Sequence, residues 1–203
     1  MAVSTLFDVR KQLAFYGAYH SNPVNVLVHI FGVPLLLWSA QVLLHEIPVP
    51  QAIPEFHYTI NEYFQLESNL ASIWTGLCMI YYFVLDPVAA VLYLPQLSIS
   101  LMTATAFAHR PNAIQTAAVI QAVSWVAQFL GHGLAEKRAP ALLDNLLGAV
   151  VLAPFFVHLE ILFKLGYSPA LHRDIRNLVG VEITRIRKLE GDKKRASIAN
   201  ADS

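Results

Sequence analysis

Basic residues are missing from a long stretch of this chain: between Gln12 and His109 there is neither a lysine nor an arginine. Charge is scarce throughout, 14% of 203 residues, against about 25% in ordinary soluble domains. A soluble domain would need solvated cations somewhere in such a stretch, so soluble and secreted classes fall away. The formal net charge is zero, which removes the basic footprint that nucleic-acid binding requires. One cysteine, Cys78, excludes a disulfide framework within the chain. The first twenty residues lack the apolar core and small-residue cleavage site of a signal peptide, so the N-terminus is expected to be retained.

What is present is apolar: 56% of residues are hydrophobic. They gather at about Asn25–Leu44, Leu70–Leu85, Val88–Ala108, Ile114–Leu130 and Leu146–Leu165. Each run approaches the roughly 20 residues that a helix needs to cross a bilayer core, and helices satisfy their own backbone in lipid. Asp86-Pro87 and Arg110-Pro111 punctuate these runs as turns. The expected fold is all-α, a polytopic membrane bundle of four to five apolar helices followed by a basic C-terminal helix and tail on the cytoplasmic side. Residues 1–169 form the membrane-embedded domain in this reading, and 170–203 the tail region.

Charge placement sets the expected topology. Arg10 and Lys11 precede the first run, so the N-terminus is expected in the cytoplasm. The loop His45–Asn69 carries Glu46, Glu55, Glu62 and Glu67 without a cation and belongs across the membrane. Three further crossings return the chain near Glu136-Lys137-Arg138. The fifth run contains Pro154, His158 and Glu160 and leads into a basic tail, so it is expected to be kinked, re-entrant or interfacial. Ile175–Leu189 reads as a surface helix, resting on anionic headgroups or merely solvated. Lys193–Ser203 reads as irregular.

Counting crossings brings separate polar groups to one depth. His20-Ser21-Asn22-Pro23 stands before the first run, with Asn25 and His29 just inside it. Gln128-Phe129-Leu130-Gly131-His132-Gly133 returns to the same side, and Glu136 follows His132 by four residues, on one face of a continuing helix. Gly131 and Gly133 would let another backbone approach closely. Asp144 and Asn145 open the fifth run at the same level. Two neutral imidazoles and a carboxylate suit non-haem Fe(II), with positions left for substrate and oxygen. Against this, H-x3-E is a short pattern, and a single interfacial histidine ordinarily meets headgroups or water.

The remaining polar residues read more plainly. His45, His57 and His109 fall on the opposite side, the first two as solvated loop residues. Glu160 could pair with Lys164, Tyr16, Tyr19 and Trp38 suit an interface or a pocket wall, and Cys78 suits simple packing. Phosphate loops, dinucleotide fingerprints, nucleophile elbows, H-E-x-x-H zinc motifs and the closely spaced histidine boxes of membrane di-iron enzymes are all missing.

The run Phe15-Tyr16-Gly17-Ala18-Tyr19-His20-Ser21-Asn22-Pro23-Val24-Asn25 with His29 resembles the opening signature of the fungal 2-hydroxy fatty acid dioxygenase family. So do Gln128, Gly131-His132-Gly133, Glu136-Lys137-Arg138, Pro140-Ala141 and Asp144-Asn145, and the later block Leu152-Ala153-Pro154-Phe155-Phe156 with Glu160 and Leu162-Phe163-Lys164-Leu165-Gly166. The segment Pro48–Asn69 looks like an insertion relative to that family. The resemblance implies an Fe(II)-dependent enzyme of the endoplasmic-reticulum membrane. Its substrates would be O2 and long-chain 2-hydroxy fatty acids from phytosphingosine breakdown, shortened by one carbon in α-oxidation. Within it, His20, His29 and His132 are the expected imidazole ligands and Glu136 a ligand or the orienter of one. Lys137, Asp144 and Asn145 are expected to hold the substrate head or order the metal shell. The alkyl tail would enter between apolar helices, among membrane lipid. Two other readings stay open: a non-enzymatic scaffold or lipid carrier, and a zinc-dependent lipid hydrolase.

Overall fold

In the computed structural model, which describes residues 6–47, 49–137 and 148–201, helices begin where short polar side chains can cap them. The Asp8 carboxylate accepts from the N–H groups of Arg10 and Lys11 and starts α1 (Val9–Tyr19). Asn22 accepts from Val24 N–H at 2.9 Å, with Pro23 at the first position of α2 (Pro23–His45). A reciprocal Asn69–Ser72 capping box opens α3 (Leu70–Leu85), and Asp86 followed by Pro87 opens α4 (Pro87–Ala108). These caps satisfy N–H groups that a helix start leaves unpaired, and proline loses nothing there. α5 (Ala113–Leu130) continues into a π-helical turn, Gly131–Glu136. A second π turn, Gly148–Leu152, leads into α6 (Ala153–Lys164), and α7 spans Pro169–Ala201.

Among the described residues three helical stretches are long and apolar enough to cross a membrane: Pro23–His45, Pro87–Ala108 and Ala113–Glu136. At about 1.5 Å per residue, α2 with its 23 residues exceeds the roughly 30 Å of hydrocarbon. The four to five apolar helices expected are present; of the four crossings read from the sequence, three are long enough by this measure. α3 has 16 residues and falls short by length, and the fifth run belongs to a broken pair, Val150–Lys164 with Pro169–Leu189, bent by 119°. That break agrees with the kink expected there. Val24, Leu27, Phe31 and Leu35 form an exposed apolar stripe on α2, which water would penalise and lipid would not.

Buried polar side chains tie the helices together, as amides and hydroxyls do where hydrocarbon offers no alternative partner. Gln41 on α2 donates to Thr75 on α3 (3.0 Å) and accepts from Ser100 on α4 (2.7 Å). Ser39 meets the Gln121 amide on α5 at 2.6 Å, and Trp38 donates to Thr103. Around them Tyr82 stacks on Phe155 in the core with Tyr93 tilted against both, and buried His158 donates to the Ala89 carbonyl.

Outside the membrane runs the structure adds one feature not read from the sequence and corrects one expectation. The acidic loop contains an antiparallel hairpin, β1 (His57–Asn61) with β2 (Phe64–Glu67), whose turn is closed by Asn61 accepting from the N–H groups of Tyr63 and Phe64. The tail is helical to Ala201, although Lys193–Ser203 read as irregular; Glu182–Arg185 and Asp192–Arg195 pairs one turn apart support that helix. Nor is α7 merely solvated. Ile186 packs on Ala18 and Tyr19 of α1, Arg10 meets Asp174 at 3.6 Å, and Val179 lies so close to Gly17 that a Cβ there would meet it at 2.7 Å.

Candidate metal centre

His20 caps α1, where the chain must turn before Pro23. Its ring stacks on Tyr16 (3.9 Å between centroids, 13° between planes), and its Nδ1 lies 2.8 Å from the Tyr16 carbonyl. A carbonyl can only accept, so Nδ1 carries the hydrogen and Nε2 keeps its lone pair. His29, one turn inside α2, repeats the device: its Nδ1 lies 2.9 Å from the Asn25 carbonyl. Burial, with His29 alongside, holds the imidazole of His20 well below the usual histidine pKa despite the Tyr16 bond. The neutral ring is the form that binds a metal.

His132 arrives from the π turn at the end of α5. The three rings form a nearly equilateral triangle with centroids 4.3 Å (His20–His29), 4.8 Å (His20–His132) and 4.9 Å (His29–His132) apart, all edge to face. One nitrogen from each lies within 4.8 Å of the others. His29 and His132 are buried, and His132 Nδ1 has no hydrogen-bond partner. Convergent imidazoles with an orphaned buried nitrogen are a donor set that suits Zn, Cu, Fe or Ni.

Two glycines permit the convergence. A Cβ on Gly131 would lie 2.6 Å from Asn25 Oδ1, and one on Gly32 would lie 2.7 Å from Gln128 Nε2, so α2 and α5 approach more closely than side chains allow. Gly133, expected to help, meets nothing within 4 Å.

Glu136 stands apart from the ring nitrogens. Its carboxylate accepts from Asn22 N–H (2.6 Å), Ser21 Oγ–H (3.0 Å) and the Asn25 amide (3.4 Å), while Asn22 donates to the Ala135 carbonyl. It therefore fastens the α1–α2 junction, which carries His20, to the turn that carries His132. Lys137 ends that turn, exposed and with a positive φ of 53°. Asp144 and Asn145 lie outside the described residues.

The triangle closes one end of a cavity of about 460 Å³, inside the range of roughly 300–1,000 Å³ typical of small-molecule sites. Val33, Leu37, Ala40 and Leu44 line it along α2, with Trp74 and Trp125 opposite. From His29 to Leu44 the helix rises about 22 Å, so the cavity is long as well as apolar. Near the histidines, Gln128 Nε2 is buried without a partner. Glu160 lines a much smaller cavity of about 20 Å³ beside His20 and His29, room for about one water. Gln128 and Glu160 belong to the motifs that carry the family resemblance, yet neither reads as a site residue in the sequence, since an amide within an apolar helix and a carboxylate four before a lysine both have ordinary explanations. Tyr16 lines the main cavity, whereas Trp38 serves the α2–α4 contact.

At the opposite end of the bundle His57 is exposed as expected, whereas His45, read as solvated, is mostly buried and converges with Glu67 and His109.

Fold and site together define a helical protein of the membrane type, with a three-imidazole centre at the head of a long apolar cavity. The chain belongs to the Mpo1-like family: residues 6–165 match it under the description "2-hydroxy-palmitic acid dioxygenase Mpo1-like". It is 34% identical over 188 residues to the 2-hydroxy-palmitic acid dioxygenase MPO1 of Saccharomyces cerevisiae, a match that covers 90% of this chain and 95% of the yeast protein. No solved structure matches significantly.

Proposed function

We propose that this chain is a membrane-embedded dioxygenase that shortens long-chain 2-hydroxy fatty acids by one carbon, with Fe(II) held by His20, His29 and His132. The observation that carries the reading is the meeting of three imidazoles at one end of a long apolar cavity. The similarity to the yeast enzyme supports the substrate class.

The residues divide the work by position. Tyr16 and Asn25 hold the Nδ1–H groups of His20 and His29, so both Nε2 lone pairs face inward. Bound Fe(II) would supply the one-electron chemistry that lets O2 react with a closed-shell acid. Gln128 offers an unpaired N–H to the substrate carboxylate, and the walls along α2 take the alkyl tail out of water. Of the two roles read for Glu136, its bonds to Ser21, Asn22 and Asn25 support the orienting one. Lys137 at the rim, with Asp144 and Asn145, is assigned to the substrate head or the metal shell. One 2-hydroxy acid and one O2 balance to the shorter acid, CO2 and water, so the reaction closes without an external reductant.

Absence of cations from Gln12 to His109 and the basic residues flanking the site support an orientation with the centre and the C-terminal helix facing the cytoplasm. The endoplasmic reticulum and the α-oxidation of acids from phytosphingosine are the setting this reading implies. The test is anaerobic loading of the purified protein with Fe(II) or Zn(II), then addition of O2 and 2-hydroxypalmitate. A product one carbon shorter, formed with Fe(II) and O2 only, is expected. Turnover without O2 would point to a hydrolase, and unaltered substrate under every condition to a carrier.

A further inference from the structure

About 24 Å along α2 from His29, by helical rise, a second group of ligand-type side chains closes the other end of the bundle. His45 ends α2, His109 follows α4, and Glu67 ends β2. His45 Nε2 lies 3.0 Å from Glu67 Oε2, and His109 Nε2 lies 2.8 Å from Glu67 Oε1. The two rings stand edge to face at 5.0 Å, and one ligand atom from each of the three residues lies within 4.8 Å of the others. His57 Nδ1 reaches the same Oε1 at 2.6 Å, and its Nε2 meets the Thr59 hydroxyl at 2.8 Å.

This is more than an acidic surface patch. The side chains of Glu67 and His45 are only 15% and 12% exposed. Three ring nitrogens face one carboxylate, and His45 turns its other nitrogen to Glu46 at 3.4 Å. The neighbouring fixed cation, Arg110, lies over the Tyr63 ring instead. Each of the three rings can donate one N–H to Glu67, so the cluster holds together without an ion; with the protons displaced, the same nitrogens and carboxylate are a donor set that a divalent transition ion accepts. The three residues also bring together both connections at this end: the exit of α2 and the hairpin from the first, and the turn from α4 to α5 from the second. A two-stranded hairpin is marginal alone, and a tie here would fix it to both helices.

We propose that His45, Glu67 and His109 form a second metal site, of Zn2+ type, that staples the β1–β2 hairpin to the ends of α2 and α4, with His57 orienting the carboxylate. The inference is independent of the reaction at the other end.

The experiment uses the full chain in detergent, stripped with chelator, in a His29→Ala/His132→Ala background that leaves the first centre with a single imidazole. Calorimetric titration with Zn2+ and absorption of Co2+ report the remaining site. A single equivalent is expected, with N/O-type Co2+ bands and a thermal midpoint that rises with Zn2+. Glu67→Gln or His109→Ala, added separately, should each weaken binding by more than about 100-fold, since even outer partners of a metal ligand are worth 10–100-fold. His109 is 46% exposed in its side chain, so its replacement keeps the test open if Glu67→Gln fails to fold. No uptake in the background protein, or uptake unchanged by both substitutions, overturns the site and leaves ordinary histidine–glutamate pairs.

Discussion

The imidazoles of His29 and His132 meet edge to face, centroids 4.9 Å apart and planes 81° apart, one from the start of α2 and one from the end of α5. Neither helix alone offers a site. The contact exists because antiparallel helices return the chain to the level it left, and because the last turn of α5 widens to π geometry, a feature frequent where a helix serves a function. Replacing His29 or His132 by alanine is expected to bring iron content below stoichiometry. Turnover should fall by more than about 100-fold, given that outer partners of a ligand already account for 10–100-fold. Metal analysis and oxygen-dependent product formation, on protein still recovered in the membrane fraction, check this. Normal iron content with either variant would remove that ring from the centre.

The glycines give a second and sharper comparison. A methyl group on Gly131 would come within 2.6 Å of Asn25 Oδ1, whereas one on Gly133 meets nothing within 4 Å. Gly131→Ala should therefore cost about 1–3 kcal/mol through overpacking and separate His132 from His29, lowering metal affinity. Gly133→Ala should leave both properties unchanged. Thermal midpoints and Fe(II) titrations of the two variants, side by side, measure the difference; equal behaviour would mean that the helix approach is not what sets the centre.

Chain length tests the cavity. Ala40 lines it about 16 Å along α2 from His29 by helical rise, toward the end away from the histidines. A phenylalanine at that position would block the far end and leave the part nearer the histidines open. Ala40→Phe is expected to shift kcat/KM from 2-hydroxypalmitate toward short 2-hydroxy acids by about 10–200-fold, the range that apolar pocket contacts deliver. Competition between acids of two lengths in one reaction gives the ratio directly. An unchanged ratio would place the tail elsewhere, for example out among the lipids.

Much of this was legible in the sequence, and the reasons are local. The dearth of cations, the turns at Asp86-Pro87 and Arg110-Pro111, and the apolar runs between them mark the helices and their alternation, and alternation alone brings His20, His29 and His132 to one end. By the same parity His45 and His109 share the other end, yet their meeting with Glu67 was not legible. It depends on a hairpin of five- and four-residue strands, too short for periodicity to declare. The position of Glu136 was obscured by the π turn, since spacing by four implies a shared face only on a regular α-helix. The helical tail was obscured too, because its apolar residues are few and make sense only once α1 lies beneath them.

Gln128 separates a binding role from a structural one. Its Nε2 is buried beside the histidines without a partner, and an unsatisfied buried donor costs about 1–3 kcal/mol. Leucine is close in size and removes the orphan. Gln128→Leu should therefore leave the substrate-free protein as stable as before or more so, with an unchanged or higher thermal midpoint. If the amide donates to the substrate carboxylate, the same change leaves that carboxylate facing a methyl group. A charge-assisted bond of roughly 1.5–3 kcal/mol is then lost, which is about 10–150-fold in KM. A purely structural glutamine would behave in the opposite way, losing stability while KM held steady. Measuring thermal midpoint and KM on the same preparation decides between them.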